Sequence, residues 1–600
     1  MVEVADQAAD FLTAATALEC AAATAMVARD DLTASISNLR LARLELDFGG
    51  RNPSVAELLR DDARDRLFQS LAAALRIQDR ADGAEVALRA TETLVAMRTV
   101  DARVADALER LKASTQTIPG LEAYRLAMAS RLAGLQGRPS EQRRLISQAV
   151  FTESQQSQPL RLATWYLDMA KTEPARRADH VGSAYRALES VRPLMPQFDP
   201  YTQESTFQLR MRDVFEAAAE VALARDVNDA SAIDRAQQII ERYRQAELQN
   251  VFGSECVPSR DPLRPAALKP GEIILYPVLL PDRVELIYAT AGAEGFRRLV
   301  SPVSSNRREV QELVEAFVRA SSTGNDGWQA PGRRLHDLLI KPVLAQAGGA
   351  QTLIIVPDGP LRALPFSALQ DASGRFLVEQ AQVVTAPALG YSEPGNPAKK
   401  APAILALSLA KEVKLPAGDF PRLEGTVEEA KAAAGTTGTL IPDFTKRDLV
   451  QALSGRSFDV LHLSTHASFN GRADRAFIVA NGEAIQLGEL RDLVADNQVR
   501  GQELYLLVLA ACETAVGDDQ ASMGLAGAAV QAGAESAVAS LWQVNDLGTA
   551  KLMQSFYDRL RQGRPKAEAL RSAQLSLIQS GADYANPAIW SAFILIGGWR

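Results

Sequence analysis

The chain has 600 residues, more than one hydrophobic core usually organises, so several domains or a repeat array are expected. A formal net charge of -8 and a pI of about 5.4 provide no basic face for nucleic-acid phosphates, so direct nucleic-acid binding is not expected. Three widely spaced cysteines fit a reducing compartment better than a disulfide scaffold, and none of the four histidines has a cysteine within a few positions, which argues against a zinc site.

The N-terminal segment is rich in alanine over residues 13–28. It follows "VEVADQAAD", which is acidic where a signal peptide needs positive charge. No apolar run free of charged residues approaches the ~20 residues that span a bilayer. We therefore expect a cytoplasmic protein with no membrane partner.

Residues 1–250 have apolar residues at helical spacing and little strand character. Leu121, Tyr124, Met128 and Leu132 fall three or four apart, and "GRPS" then breaks the pattern before "EQRRLISQAVF" resumes it. Such helix pairs recurring at roughly 35 to 40 residues are typical of a solenoid, because each pair buries its apolar stripe only against its neighbours. Residues 121–151 resemble a tetratricopeptide repeat (TPR). An irregular helical bundle is the alternative.

A proline-rich stretch at residues 257–270 breaks this pattern, and the period then becomes strand-like. Strands are predicted on either side of Pro281, in "TLIIVPDG" and in "QVVTAPAL". After a second break, "SEPGNPAKKAP", strands and helices alternate: "AILALSLA", a helix near 427–434, "DVLHLSTHA", a helix from about Gly488, "ELYLLVLAAC", a helix from about Met523, and "ESAVASLW". Alternation of this kind predicts parallel strands with crossover helices.

Two of these apolar runs end in a reactive residue, His466 in one and Cys512 in the other. If the strands are parallel neighbours, both side chains emerge at one carboxyl edge, where sites form in such sheets. An adjacent imidazole makes a cysteine a useful nucleophile at neutral pH. The pair predicts acyl-transfer chemistry.

The competing interpretation is that Cys512 merely packs, because free cysteine is among the most buried residue types. Its place after the strand, its small neighbours Ala510 and Ala511, and the matching histidine favour chemistry. Alternation places His462 inside its strand, which predicts a structural role. His180 and His336 lie on helical patterns and are interpreted as ordinary helix residues.

Several motifs together make the last third similar to the CHAT-domain peptidases, caspase-like cysteine proteases that TPR helices commonly precede. The motifs are "LHLSTHA", "LVLAACETAVG", "GLAGAAVQAGAESAVASLWQVND", "FYDRLRQG", "ALRSAQLSLI" and "NPAIWSAFILIGG". With "ILYPVLLPDRVEL" and "VPDGPLRALPFSAL" upstream, the resemblance covers roughly residues 252–600. It implies a Cys512 nucleophile, a His466 base, an oxyanion hole from the backbone amides of Ala467 and Cys512, and no cofactor or metal. The chain is also distantly similar to separase.

Two departures from the caspase relatives stand out. Ala467 follows His466 where glycine is frequent, so the backbone there is less free. Ala510 occupies the position at which metacaspases carry an acid two residues before the cysteine.

An acid for binding substrate is predicted at Asp546, in "SLWQVNDLGT". Separases, which cleave after arginine, carry an acid in a similar Trp-x-Val-x-Asp setting, and a carboxylate in a partly desolvated pocket favours Arg or Lys. The alternative is that Asp546 caps a helix starting near Leu547, and Asp518 and Asp519 are rival acids.

These observations predict three parts: a TPR-like solenoid over 1–250, a non-catalytic α/β half over 251–400 and a caspase-like catalytic domain with a mainly parallel sheet over 401–600. The predicted function is a cysteine endopeptidase whose partners are a protein substrate and a regulatory protein or ribonucleoprotein, since TPR-CHAT proteins can act with RNA-guided complexes in bacteria. The alternatives are a catalytically silent scaffold and a thiol hydrolase or acyltransferase acting on a non-protein substrate.

Overall fold

The computed structural model describes most of the chain. The described residues are 2–52, 54–155, 159–192, 198–224, 228–252, 262–392, 394–416, 418–468, 476–499, 504–510, 533–542, 544 and 546–600. They divide into two compact units, Met1–Val221 and Ala222–Arg600.

The first unit consists of helices that pack on their neighbours in chain order. These helices are α1 (Val2–Ala28), α2 (Asp31–Arg51), α3 (Ala56–Ala74), α4 (Arg80–Ala96), α5 (Ala102–Thr115), α6 (Pro119–Leu135), α7 (Pro139–Ser154), α8 (Pro159–Thr172) and α9 (Arg177–Glu189). A further helix, α10 (Arg212–Leu223), follows a π-helical turn at Phe207–Met211 and ends just past the boundary of the unit. One apolar core runs through α2 to α8, and α4 contacts both α2 and α6. This is the predicted array of helical repeats.

Local chemistry fixes where these helices begin and end. Asp79 accepts hydrogen bonds from the amides of Ala81 and Asp82, which caps α4 at its first residue. The break predicted at "GRPS" lies between α6 and α7, where Gly137 has a φ of 71° and Pro139 opens α7. α4, α6 and α8 start about 40 residues apart, as the predicted repeat requires.

The first helix, α1, contains the one stretch among the described residues that is long and apolar enough to cross a membrane, Phe11–Ala28. Its mean hydropathy is 1.5, and a signal sequence meets the same criteria. In the structure the stretch is 11% buried, and its Glu19 pairs with Arg66 of α3.

The second unit is built on one eleven-stranded sheet. Its strands are β1 (Glu272–Leu279), β2 (Val284–Thr290), β3 (Arg297–Val300), β4 (Thr352–Ile355), β5 (Gln382–Thr385), β6 (Ile404–Ser408), β9 (Thr439–Pro442), β10 (Val460–Ser464), β14 (Leu506–Ala510), β15 (Ser536–Ser540) and β16 (Phe593–Gly597). Their order across the sheet is β3-β2-β1-β4-β5-β16-β15-β14-β10-β6-β9. Two small sheets pair β7 (Val413–Leu415) with β8 (Gly418–Phe420), and β11 (Ala467–Ser468) with β12 (Phe477–Ala480) and β13 (Glu483–Gln486).

Most neighbours in the large sheet are parallel, as the sequence predicts; the antiparallel pairs are β1 with β2, β2 with β3, and β15 with β16. The sheet has two halves, β1–β5 and the strands β6, β9, β10 and β14–β16. They join where β5 pairs with β16. The predicted non-catalytic and catalytic segments therefore contribute to one continuous sheet.

Helices cover the sheet between its strands. They are α11 (Ala230–Phe252), α12 (Arg307–Thr323), α13 (Gln329–Leu339), α14 (Lys341–Ala347), α15 (Leu377–Gln380), α16 (Thr426–Ala434), α17 (Lys446–Gly455), α18 (Leu487–Val499), α19 (Asp546–Arg561), α20 (Lys566–Gln579), α21 (Ala582–Ala585) and α22 (Pro587–Trp590). The helix predicted from Met523 falls outside the described residues.

The structural division differs from the predicted boundary at residue 250. Helix α11 belongs to the second unit, because its buried polar side chains bond to the sheet. Glu241 accepts a hydrogen bond from the Tyr276 hydroxyl of β1 at 2.7 Å, and the Arg244 guanidinium donates to Asp358 at 2.6 Å. The helical periodicity of α11 is indistinguishable from that of the array, and only these tertiary contacts assign it.

Candidate active site at the carboxyl edge of β10 and β14

Two neighbouring strands lead to the predicted dyad. β10 and β14 are parallel and in register from Val460–Leu506 to Ser464–Ala510, and every residue of both strands is buried. His466 follows the last register pair by two residues. Cys512 also follows it by two residues in the sequence, but it lies outside the described residues. The structure thus places the strand that leads to Cys512 directly beside the strand that leads to His466.

The His466 imidazole is buried and held through one ring nitrogen. Its Nε2 lies 2.7 Å from the backbone carbonyl oxygen of Pro421, and the ring of Phe420 packs against it with centroids 5.5 Å apart. A carbonyl oxygen only accepts hydrogen bonds, so Nε2 carries the proton and donates. In the neutral ring, Nδ1 is then the basic nitrogen.

Ala467, a predicted oxyanion-hole residue, opens the short strand β11. The Val479 amide donates to the His466 carbonyl at 2.8 Å, and Ala467 lies opposite Ile478. In an antiparallel ladder this makes Ala467–Ile478 a non-hydrogen-bonded pair, so the Ala467 N–H points away from β12. The φ of Ala467 is not positive, so the alanine side chain causes no left-handed strain at this position.

A buried polar cluster lies beneath this edge, on the face of β10 that α16 and α19 cover. His462 is fully buried, and its Nδ1 lies 2.9 Å from the Tyr557 hydroxyl. Ser464 donates to Glu429 at 2.7 Å, and His462 Nε2 lies 3.6 Å from the other oxygen of that carboxylate. Burial lowers the pKa of His462 to about 3, so the ring is neutral at physiological pH. His462 is a core residue, as the strand alternation predicts.

Asp546 is the first residue of α19, one position before the predicted helix start. The helix follows β15, which is parallel to β14 with Leu509 opposite Ala539, so the chain reaches Asp546 from the strand next to the Cys512 edge. The carboxylate of Asp546, like Asp518 and Asp519, lies outside the described side chains. Whether it binds substrate or caps the helix stays a prediction.

The remaining histidines lie on helices and not on the strands of this edge. His180 Nε2 is 2.9 Å from Glu173 in the first unit, and His336 is buried on α13. Among the side chains that the structure describes, no group of three or more His, Cys, Asp and Glu is placed to hold a metal ion.

Sequence reasoning missed two contributors to the site. The Pro421 carbonyl oxygen carries no sequence signal, because any residue supplies one. Glu429 carries no clear signal either, because it follows another glutamate in the first turn of α16, and only the structure shows that it is buried and accepts a hydrogen bond from Ser464 of β10.

Comparisons with known proteins agree with this architecture. The family model of the CHAT domain matches residues 329–598. Tetratricopeptide repeat protein 28 of Homo sapiens is 24% identical over 371 residues, which are 50% of this chain and 15% of that protein.

Among solved structures, two crystal structures of the Saccharomyces cerevisiae separase–securin complex are similar to this chain. The one at 2.6 Å resolution has a TM-score of 0.46 and covers 98% of this chain, and the one at 3.0 Å has a TM-score of 0.41 and covers 94%. Both are 8% identical, and the chain spans about half (53%) of each matched chain.

Proposed function

We propose that the protein is a cysteine endopeptidase in which Cys512 is the nucleophile and His466 the general base. The observation that carries the proposal is the parallel register of β10 and β14, in which each strand ends two residues before one member of the pair. Adjacent parallel strands deliver both residues to one sheet edge. The CHAT domain over residues 329–598 supports the caspase-like assignment.

The proposed reaction is hydrolysis of a peptide bond through a thioester. His466 Nδ1 takes the thiol proton as Cys512 Sγ attacks the scissile carbonyl, and it returns that proton to the departing amine. Water then attacks the thioester, gives its proton to Nδ1, and releases the acid and the thiol. The hydrogen bond from Nε2 to the Pro421 carbonyl oxygen keeps the ring in the tautomer that these reaction steps require, and it stabilises the imidazolium that forms.

The developing oxyanion is assigned to the backbone amides of Ala467 and Cys512. The Ala467 N–H points away from β12, so that strand does not use the donor. Preorganised amides stabilise an oxyanion more than they stabilise the ground-state carbonyl, and such a donor typically contributes 10²–10³ in rate.

Residues 1–221 are proposed as a partner-binding module. Helical repeat arrays offer extended surfaces for other proteins, and the similarity to a tetratricopeptide repeat protein supports this role. Deleting the module should change rate or substrate choice, and a folded truncation with neither change would count against the regulatory role.

The function is tested by mapping new protein termini after a cell lysate is incubated with the wild-type chain or with Cys512→Ala. New termini that appear only with the wild type support the endopeptidase. Their complete absence, with any thiol-dependent activity confined to small esters or thioesters, would favour the acyl-transfer alternative. No activity of either kind would favour the scaffold.

A further inference from the structure

One face of the first unit carries charged side chains, and a segment of the same chain lies on it. Alternate helices of the array contribute to one face, which borders a cavity of about 590 Å³. Arg43 of α2, Arg89 of α4, Arg131 of α6 and Thr164 of α8 all line it. We call this the inner face.

A non-helical segment lies on the inner face. Residues 198–206, called the strap here, precede the π-helical turn and are closed into a tight turn by pairing of Phe198 with Ser205. The Asp199 carboxylate accepts hydrogen bonds from the amides of Tyr201 and Thr202, both at 3.0 Å, and Gln203 has a φ of 60°. The strap is therefore a preformed extended turn and not a further repeat helix.

Both strap carboxylates pair with arginines of the inner face. The Arg89 guanidinium donates to Asp199 at 2.5 Å and stacks over the Tyr201 ring at 4.7 Å. Arg43 forms an ion pair with Glu204 and also donates to Thr93 at 3.0 Å. Burial disfavours the Asp199 charge, but Arg89 and the two strap amides outweigh it and hold the pKa of that carboxyl below its usual range.

The backbone of the strap is also recognised. The Arg40 guanidinium of α2 donates to the carbonyl oxygens of Tyr201 at 2.7 Å and Pro200 at 3.2 Å. Contacts to main-chain oxygens do not depend on side-chain identity. The inner face thus binds the strap in the way that a receptor binds a peptide. Arg89 and Arg43 bind the two carboxylates, and Arg40 binds the main chain between them.

The strap does not fill the surface on which it lies. The cavity beside it is also lined by Arg60 of α3, which is exposed and donates to the Met97 carbonyl oxygen at 2.8 Å. A longer ligand therefore has room to extend beyond the two strap carboxylates toward a further cation.

We propose that the strap is an internal pseudo-ligand, and that the inner face binds an extended acidic segment of a partner protein whose two carboxylates, five residues apart, replace Asp199 and Glu204 at Arg89 and Arg43. The partner displaces the strap, because both use the same donors. The inference rests on the proposed partner-binding role of the helical unit and not on the protease chemistry.

Because the strap already occupies the inner face, a peptide ligand has to compete with it. A tethered segment competes at an effective concentration of the order of millimolar, so a peptide in solution binds the wild-type chain more weakly than its intrinsic affinity. Weakening the strap should uncover that affinity. A partner gains over the strap by adding contacts along the unfilled cavity.

The test uses a fluorescent peptide with the sequence of residues 198–205, FDPYTQES, and the full chain carrying Cys512→Ala. Fluorescence anisotropy compares this chain with one that also carries Asp199→Asn and Glu204→Gln. We expect the peptide to bind the strap-weakened chain at least tenfold tighter. Adding Arg89→Gln should remove the gain, and Arg110→Gln, on an exposed arginine of α5 away from the cavity, should not.

The opposite outcomes would overturn the proposal. They are equal binding to both chains, equal binding of a peptide with Asn and Gln at the two acidic positions, or capture of a single-stranded RNA octamer in place of the peptide.

If the double substitution unfolds the first unit, the single substitution Glu204→Gln in the Cys512→Ala chain decides. It leaves Asp199 paired with Arg89 and should still tighten peptide binding, and unchanged binding would reject displacement. Because neither assay involves cleavage, failure here leaves the endopeptidase proposal standing, and the reverse also holds.

Discussion

The two halves of the large sheet end their parallel strands in different ways. In the first half, β4 leads to Asp358, which is buried, accepts a hydrogen bond from the Leu279 amide at 2.9 Å and pairs with Arg244 at 2.6 Å. In the second half, β10 leads to His466, which the Pro421 carbonyl oxygen holds through Nε2. Both residues lie just past the end of a buried parallel strand.

The difference shows that a strand-end position is not sufficient for chemistry. Asp358 has one oxygen on a guanidinium and the other on a backbone amide, so its charge stabilises the fold. The neutral carbonyl acceptor of Pro421 holds His466 Nε2 and fixes the tautomer in which Nδ1 is the basic nitrogen. We expect the neighbours of a strand-end residue to decide whether it can have a structural or a catalytic role.

The largest expected effect on stability comes from removing a buried ion pair in the first half of the sheet. Arg244→Ala removes a buried guanidinium and leaves both Asp358 and Glu247 without it. An uncompensated buried charge typically costs about 3–5 kcal/mol, so the free energy of unfolding should fall by that amount in urea titration.

A matched surface change serves as the control. Arg308 pairs with Glu312 on α12 but is exposed, so Arg308→Ala should change the free energy of unfolding by less than about 0.5 kcal/mol. Equal effects of the two substitutions would remove the contrast drawn between the halves.

Much of this fold is readable from the sequence. The apolar runs predicted as strands, the helix near 427–434, and the break between α6 and α7 all occur where expected, because period and turn residues report local structure directly. The join of the two halves through β5 and β16 has no such signal. It pairs segments about 200 residues apart, and only the complete packing of the sheet determines it.

The buried cluster of the second half should make the stability of the protein depend on pH. Burial lowers the pKa of His462 to about 3, below the ~6.5 of an unfolded chain. Between these two pH values the imidazole is protonated in the unfolded state and neutral in the folded state. Stability should therefore fall as the pH drops below about 6.5, at up to ~1.4 kcal/mol per pH unit for this group.

His462→Gln isolates that contribution. It should cost about 1–3 kcal/mol at pH 7, because the contact with Tyr557 is disrupted, and should make the loss of stability between pH 6.5 and 5 shallower than in the wild type. Urea titrations at several pH values measure both quantities. An acid slope identical to that of the wild type would show that His462 titrates normally in the folded protein.

The smallest expected effect concerns the specificity of the proposed active site. If Asp546 binds the residue before the scissile bond, Asp546→Asn should weaken cleavage after Arg or Lys by about tenfold, since a charge-assisted hydrogen bond becomes a neutral one. Peptide-library cleavage measures this. A preference for acidic or apolar residues in the wild type would reject the basic pocket, and unchanged cleavage would leave Asp546 as a helix-cap residue.

For the site, the sequence predicts the strands and their terminal residues but not what surrounds them. His466 is recognisable because it follows an apolar run, and the parallel pairing of its strand with β14 is confirmed. The Pro421 carbonyl oxygen and the direction of the Ala467 amide are backbone properties that tertiary structure alone creates. The role of Cys512 stays a prediction from sequence and strand register.

The most direct test of the account is the alkylation rate of Cys512 by iodoacetamide at pH 7, measured for each cysteine by mass spectrometry. The exposed Cys20 is an internal reference in the same chain. If His466 activates the thiol, Cys512 should react at least tenfold faster than Cys20 in the wild type, and His466→Ala should bring the ratio near one while His180→Gln leaves it unchanged. A Cys512 no more reactive than Cys20, or one indifferent to the loss of His466, would contradict the dyad.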